Sequence, residues 1–98
     1  MTVLAEKVFA IRDSVITELL ESGLALTLVG SNKVLVLNST GRAIWQLLDG
    51  SKTCSQVISK IAQQFSTPVE KVTFDVYTFI EHLVSVGLIV EKNEHNNT

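Results

Sequence analysis

The chain changes its hydrophobic period at one place, and that place limits what it can fold into. Val34-Leu35-Val36-Leu37 is a strand-like run. It leads into Asn38-Ser39-Thr40, three residues able to cap a helix, and then into Gly41–Gly50. In that second stretch Ala43, Ile44, Leu47 and Leu48 recur at helical spacing, with Trp45 at the margin. Asn, Ser or Thr at such a junction accepts backbone N–H groups that the first helical turn leaves unpartnered. Gly50 stands where a left-handed residue just beyond a helix is expected. Everything upstream of the junction reads as strands that can pair with Val34–Leu37. Everything downstream reads as helices that can pack beneath it.

Upstream, Met1–Lys7 reads as a lead-in and Val8–Arg12 as a short strand or extended arm. Val15–Leu20 is β-branched and partly alternating, as strands are. The turn Glu21-Ser22-Gly23 joins it to a second strand, Leu24–Val29. Gly30-Ser31-Asn32-Lys33 supplies the residue types of a tight turn before the third, Val34–Leu37. Short loops make neighbouring strands antiparallel, so a three-stranded meander is expected with Leu24–Val29 in the middle. The Val34–Leu37 strand would then keep one unpaired side.

Downstream, Thr53 with Gln56 matches a capping box, and Val57, Ile58, Ile61, Ala62 and Phe65 give the helix Cys54–Phe65 an apolar stripe. Thr67-Pro68-Val69-Glu70 predicts a second box, with Thr67 as N-cap and Pro68 in the first helical position. A long third helix follows to about Val86, with Val69, Val72, Val76, Phe79, Ile80 and Leu83 on its apolar face. Gly87 ends it, Leu88-Ile89-Val90 is a short extended piece, and Glu91–Thr98 is a polar tail. Strands followed by helices indicate an α+β fold, here winged helix-turn-helix-like: an N-terminal three-stranded antiparallel sheet, then three helices. A chain of 98 residues is expected to form a single domain, 1–98, with an ordered core over about 8–91.

Composition removes several function classes. A net charge of -2 argues against general nucleic-acid binding. A single cysteine, Cys54, excludes an intrachain disulfide and a multi-cysteine metal site. His82 and His95 are isolated from other ligand types, so no metal and no cofactor are expected. There is no nucleophile–base constellation, no phosphate loop and no carboxylate cluster, so no catalytic residue is assigned and the chain is read as no enzyme. The N-terminus lacks a signal-peptide pattern and no apolar run is long enough to span a membrane. A small cytoplasmic domain is the expectation.

The junction also carries a resemblance. Leu37-Asn38-Ser39-Thr40-Gly41-Arg42-Ala43-Ile44-Trp45-Gln46-Leu47-Leu48-Asp49-Gly50 resembles the "LN-x-T-G-x-x-I-W-x-L-L-D-G" signature of the PqqD-like family. The likeness continues through Thr53, Val57-Ile58, Asp75-Val76 with Phe79, Leu83 and Gly87-Leu88, and so covers roughly Ile16 to Val90. The family comprises the recognition elements of ribosomally made, post-translationally modified peptides. The resemblance implies a winged-helix-like domain that binds the leader segment of a precursor peptide. The leader adds as an antiparallel strand to the third strand, lies against the third helix, and is delivered to a maturation enzyme. That enzyme is a radical SAM protein in pyrroloquinoline quinone (PQQ) synthesis and a leader peptidase in lasso-peptide pathways.

Strand addition also follows from the residues themselves. An open strand edge offers regularly spaced N–H and C=O groups to an incoming peptide. The alternating directions of Val34 and Val36 against Leu35 and Leu37 send one pair to the core and the other outward, in an order the sequence leaves open. Carried onto this chain, the peptide-binding residues are Lys33, Val34, Leu35, Val36 and Leu37 on the strand, with Phe74, Asp75, Thr78 and His82 flanking the core stripe of the third helix. Each has a plainer reading. The edge could be covered by Val8–Arg12 or by a second copy in a homodimer. Phe74 could be a surface aromatic, and Asp75 could bond within its own helix. Trp45 reads as core and Cys54 as a small structural residue. The alternative function is a winged-helix DNA-binding regulator. The third helix argues against it, because its charged residues Glu70, Lys71, Asp75 and Glu81 include no arginine for phosphates or guanine edges.

Overall fold

A computed structural model describes residues 4–92. After a single 3₁₀ turn, Leu4–Glu6, the order is β1 (Val8–Ile11), β2 (Val15–Leu20), β3 (Gly23–Leu28), β4 (Leu35–Leu37), α1 (Ser39–Gln46), β5 (Asp49–Thr53), α2 (Cys54–Phe65), α3 (Val69–Ser85) and β6 (Ile89–Glu91). The expected meander is present: β2, β3 and β4 pair antiparallel in that order, with β3 in the middle. The third strand is one residue shorter than expected, since Val34 lies outside the pairing.

A second small sheet, β5-β1-β6, was not foreseen as a unit. Val8–Ile11 is its central strand, bonded to β5 on one side and β6 on the other. It is therefore occupied elsewhere and does not cover β4. Gly50 is corrected as well. Helix α1 stops at Gln46, and Leu47 and Leu48 tighten its end by donating to the Ile44 and Trp45 carbonyls. Gly50 does adopt a positive φ of 83°, but inside β5, where the register against β1 shifts and the nearest neighbour a Cβ would meet is Ala10. The sequence offers no apolar alternation over Asp49–Thr53, so this strand is dictated by its partner rather than by its own residues.

The caps divide. Asn38 Oδ1 accepts from Gly41 N–H at 2.8 Å, and the Thr53–Gln56 box closes in both directions at 3.2 and 2.8 Å. The second expected box does not form. Pro68 is the N-cap of α3, with no side-chain cap bond, and Thr67 Oγ1 donates instead to the Phe65 carbonyl. The short α2–α3 link explains this. Ser66 is left-handed and the Thr67 N–H reaches back to the Ala62 carbonyl, a Schellman-type ending that commits Thr67 to α2.

The core lies between the β2-β3-β4 sheet and the three helices, closed from below by β1 and β6. Leu26 and Leu37 enter it from the sheet, Ile44, Trp45 and Leu48 from the α1 region, Val57 and Ile61 from α2, and Val76, Ile80 and Leu83 from α3. Phe9, Leu88 and Ile89 complete it. Trp45 is buried and so is a core residue. Val69, expected on the apolar face of α3, is 52% exposed, and the buried face of the helix begins at Val72. Truncating a core side chain such as Leu26 would cost about 2–5 kcal/mol.

Candidate functional site

Strand β4 is bonded to β3 alone, so among the described residues its other edge is open. Its register settles the direction of its side chains. Leu24 opposes Leu37 and Leu26 opposes Leu35, so these four share the inner face. Leu37 is 4% exposed and Leu35 half-buried, whereas Val36, at 46%, and Val34, at 61%, face outward.

Helix α3 runs alongside this edge; two adjoining hollows lie between them, and a third continues between α3 and the helices α1 and α2. The central one, about 440 Å³, is lined by Leu35–Asn38, Thr40, Gly41 and Ile44 on one side and by Asp75, Phe79 and His82 on the other. The second, about 260 Å³, continues it past Leu35 and His82 to Lys33, Val34, Val86 and Leu88, over the floor of Leu26 and Leu28. The third, about 230 Å³, extends it past Thr40, Ile44 and Asp75 to Phe65, Thr67 and Lys71. Together they make a groove along the length of α3. Lys33, Val34 and His82 sit at the end where β4 begins and α3 finishes, so strand and helix are antiparallel across the groove.

The structure brings together Lys33, Val34, Leu35, Val36, Leu37, Asp75 and His82 from the sequence-derived set. Phe74 and Thr78 are exposed but do not line the hollows. At about 100° per residue they lie about 100° and 60° round the helix from Asp75, on the outer shoulder of the wall. Their place is taken by Phe79, which the apolar stripe had assigned to the core and which is half-buried beside it. The signal was its spacing: Phe79 is four residues after Asp75 and three before His82, the interval that keeps helical neighbours on one face. Lys71, Thr40 and Ile44 were also missed, because they enter the groove only through the docking of α1 and α3.

Electrostatically the groove is sparse. Asp75 carries an exposed ion pair with Lys71 at 3.6 Å, one helical turn earlier. Among the described residues no cluster of three or more His, Cys, Asp or Glu could hold a metal ion. Cys54 lies away from the groove in the core, and burial pushes its thiol up to about 11. No helix is long and apolar enough to cross a membrane among the described residues. What the site offers is an unpaired ladder of backbone groups beside a long hollow, an arrangement suited to holding an extended chain.

Comparison with known proteins gives a consistent answer. The family described as "Coenzyme PQQ synthesis protein D (PqqD)" matches residues 23–89. A "PqqA binding protein" of Rhizobium meliloti (strain 1021) is 30% identical over 56 residues, which are 57% of this chain and 57% of that protein. The chain thus spans little more than half the length of the curated relative it matches. Two solved structures share the fold. "TbiB1 in Complex with the TbiA(beta) Leader Peptide" aligns with a TM-score of 0.74 at 21% identity, over 87% of this chain and 99% of that one. "Lasso peptide synthetase B1 complexed with the leader peptide" aligns with a TM-score of 0.75 at 18% identity, over 84% and 96%. The family match takes in the whole of β3, the β4–α1 junction and both walls of the groove, and the chain belongs to the PqqD family.

Proposed function

We propose that this chain is a non-catalytic adaptor that binds the leader segment of a ribosomally synthesised precursor peptide and delivers it to a maturation enzyme. The observation that carries the reading is the open edge of β4 facing α3 across a groove. A peptide added antiparallel to β4 would bond through its backbone to the Lys33–Leu37 segment and set its side chains against Asp75, Phe79 and His82. Phe74 and Thr78, on the outer shoulder, would meet only a leader that overhangs the groove. The "PqqA binding protein" relative and the leader-peptide complexes of the two structural neighbours support this choice of ligand.

The adaptor acts by proximity. A leader held on this domain raises the local concentration of the precursor at an enzyme bound to the same domain, and no reacting group is required. A radical SAM protein or a leader peptidase, working in the cytoplasm where precursors are made, fits that role. The acidic character of α3 speaks against the DNA-binding alternative.

An NMR titration of the labelled chain with a synthetic precursor leader peptide tests the reading. Amide shifts concentrated on Lys33–Leu37 and Asp75–His82 are expected. Shifts confined to α1 and α2 would overturn it. A doubling of mass without added peptide would instead assign the edge to a homodimer.

A further inference from the structure

We propose that the groove selects leaders in which a carboxylate stands beside a large apolar side chain at the C-terminal end of the added strand, with Lys33 and His82 receiving the carboxylate. The inference rests on the strand-addition reading above and concerns which peptides that site takes.

Four ionisable side chains line the three hollows: Lys33, Lys71, Asp75 and His82. The one carboxylate, Asp75, is engaged by Lys71 at the end where α3 begins. At the opposite end Lys33 and His82 rim a hollow that has no carboxylate among its lining residues. Its other lining residues are Leu26, Leu28, Ser31, Val34, Leu35, Val86 and Leu88, so one lysine and one histidine rim a largely apolar floor. The whole chain has a net charge of -2, and this end of the groove is opposite in sign to it. Such a rim contributes more to choice of partner and orientation than to affinity.

Direction fixes which end of the leader meets the rim. Lys33 and Val34, preceding β4, share this hollow with His82 and Val86 near the end of α3. A strand antiparallel to β4 therefore runs parallel to α3. Its N-terminal part passes Asp75 and its C-terminal part arrives over Lys33 and His82. There one side chain can descend onto Leu26 and Leu28 while a neighbouring carboxylate stays at the exposed rim.

The test uses a phage-displayed library of random twelve-residue peptides, selected on the full chain. Selected peptides are resynthesised both as found and with each carboxylate exchanged for its amide. Affinities are read by fluorescence anisotropy, and binding place by amide shifts. We expect Asp or Glu to be enriched next to a large apolar residue. The amide form should bind the native chain about two- to fivefold more weakly, the range of an exposed ion pair, with the gap narrowing as salt is raised. The difference should vanish on the Lys33→Gln/His82→Gln double variant and persist on Asp75→Asn. Both double-variant positions are exposed, and an unchanged amide spectrum elsewhere establishes that the variant is folded. Peptides that shift Leu35–Leu37 but bind equally as acid and amide would overturn the selection rule and leave strand addition standing. Selected peptides that leave Leu35–Leu37 unmoved would overturn strand addition and this inference with it.

Discussion

Gly23 lies so close to Leu37 that a side chain on it would collide with the Leu37 carbonyl oxygen. Its φ of 146° is also one that side chains rarely adopt. Gly23 opens β3 while Leu37 closes β4, so the contact sets how near these strands approach at the groove's entrance. Gly23→Ala must either push β4 outward or strain the turn. The expected cost is about 1–3 kcal/mol, seen as a lowered thermal midpoint. Because the displaced element is the strand proposed to take the leader, leader affinity should fall as well. An alanine variant with native melting and native affinity would show that the close approach is dispensable.

Legibility tracked how local the cause was. The meander, a cap within Asn38–Thr40, the Thr53–Gln56 box and the Gly87 stop could be read because each depends on residues within a few positions of one another. Strand β5 could not, because Asp49–Thr53 is polar and becomes a strand only where Val8 and Ala10 offer it a ladder. Thr67 misled for a related reason: the ending of α2 took its backbone N–H before α3 could use its side chain. In the groove the strand wall was implied by the family resemblance at the junction, and Asp75 and His82 by their place flanking the stripe of the third helix, a criterion that picked Phe74 and Thr78 as well. Phe79 was not, because a residue at the border of an apolar stripe serves the core and a hollow at once.

Strand addition makes a backbone prediction at β4. Proline has no N–H to donate, so Val36→Pro should weaken leader binding by about tenfold, the equivalent of roughly 1.4 kcal/mol, close to one net hydrogen bond. If the leader pairs one step nearer Lys33, Val34→Pro should show the loss instead. Both side chains point outward, so neither change empties the core. Titration calorimetry on the variants, after a melt confirms folding, reads the outcome. Unchanged affinity in both folded variants would rule out pairing along this edge.

Cys54 gives a prediction free of any ligand. It is 1% exposed, and burial raises its thiol from 9.0 to about 11, with Lys7 lowering it and Glu91 raising it in smaller measure. A thiol that ionises less readily when folded stabilises the fold below pH 9 and loses that contribution as pH climbs through about 11. At pH 8 the folded chain should react with a thiol reagent far more slowly than the urea-unfolded chain, since the thiolate is the reacting species. Equal rates in both states would mean that α2 opens at its first turn faster than the reagent attacks.

Asp75 separates binding from stability. Its bond to Lys71 is an exposed pair four residues apart on a helix, an arrangement contributing about 0.3–0.5 kcal/mol. Asp75→Ala should therefore leave the melting temperature nearly unchanged. Yet Asp75 lines two of the three hollows and stands where the N-terminal part of a leader would enter. If it receives an N–H or a basic side chain there, the substitution should weaken binding about two- to fivefold, as expected for a partly exposed charge. Lys71→Ala releases Asp75 from its intrahelical partner and should move affinity the other way for a basic leader. A matched pair of calorimetric titrations and melts decides between roles. Lost stability with intact affinity would make the residue a helix-surface group alone, and the α3 wall would then act through Phe79 and His82.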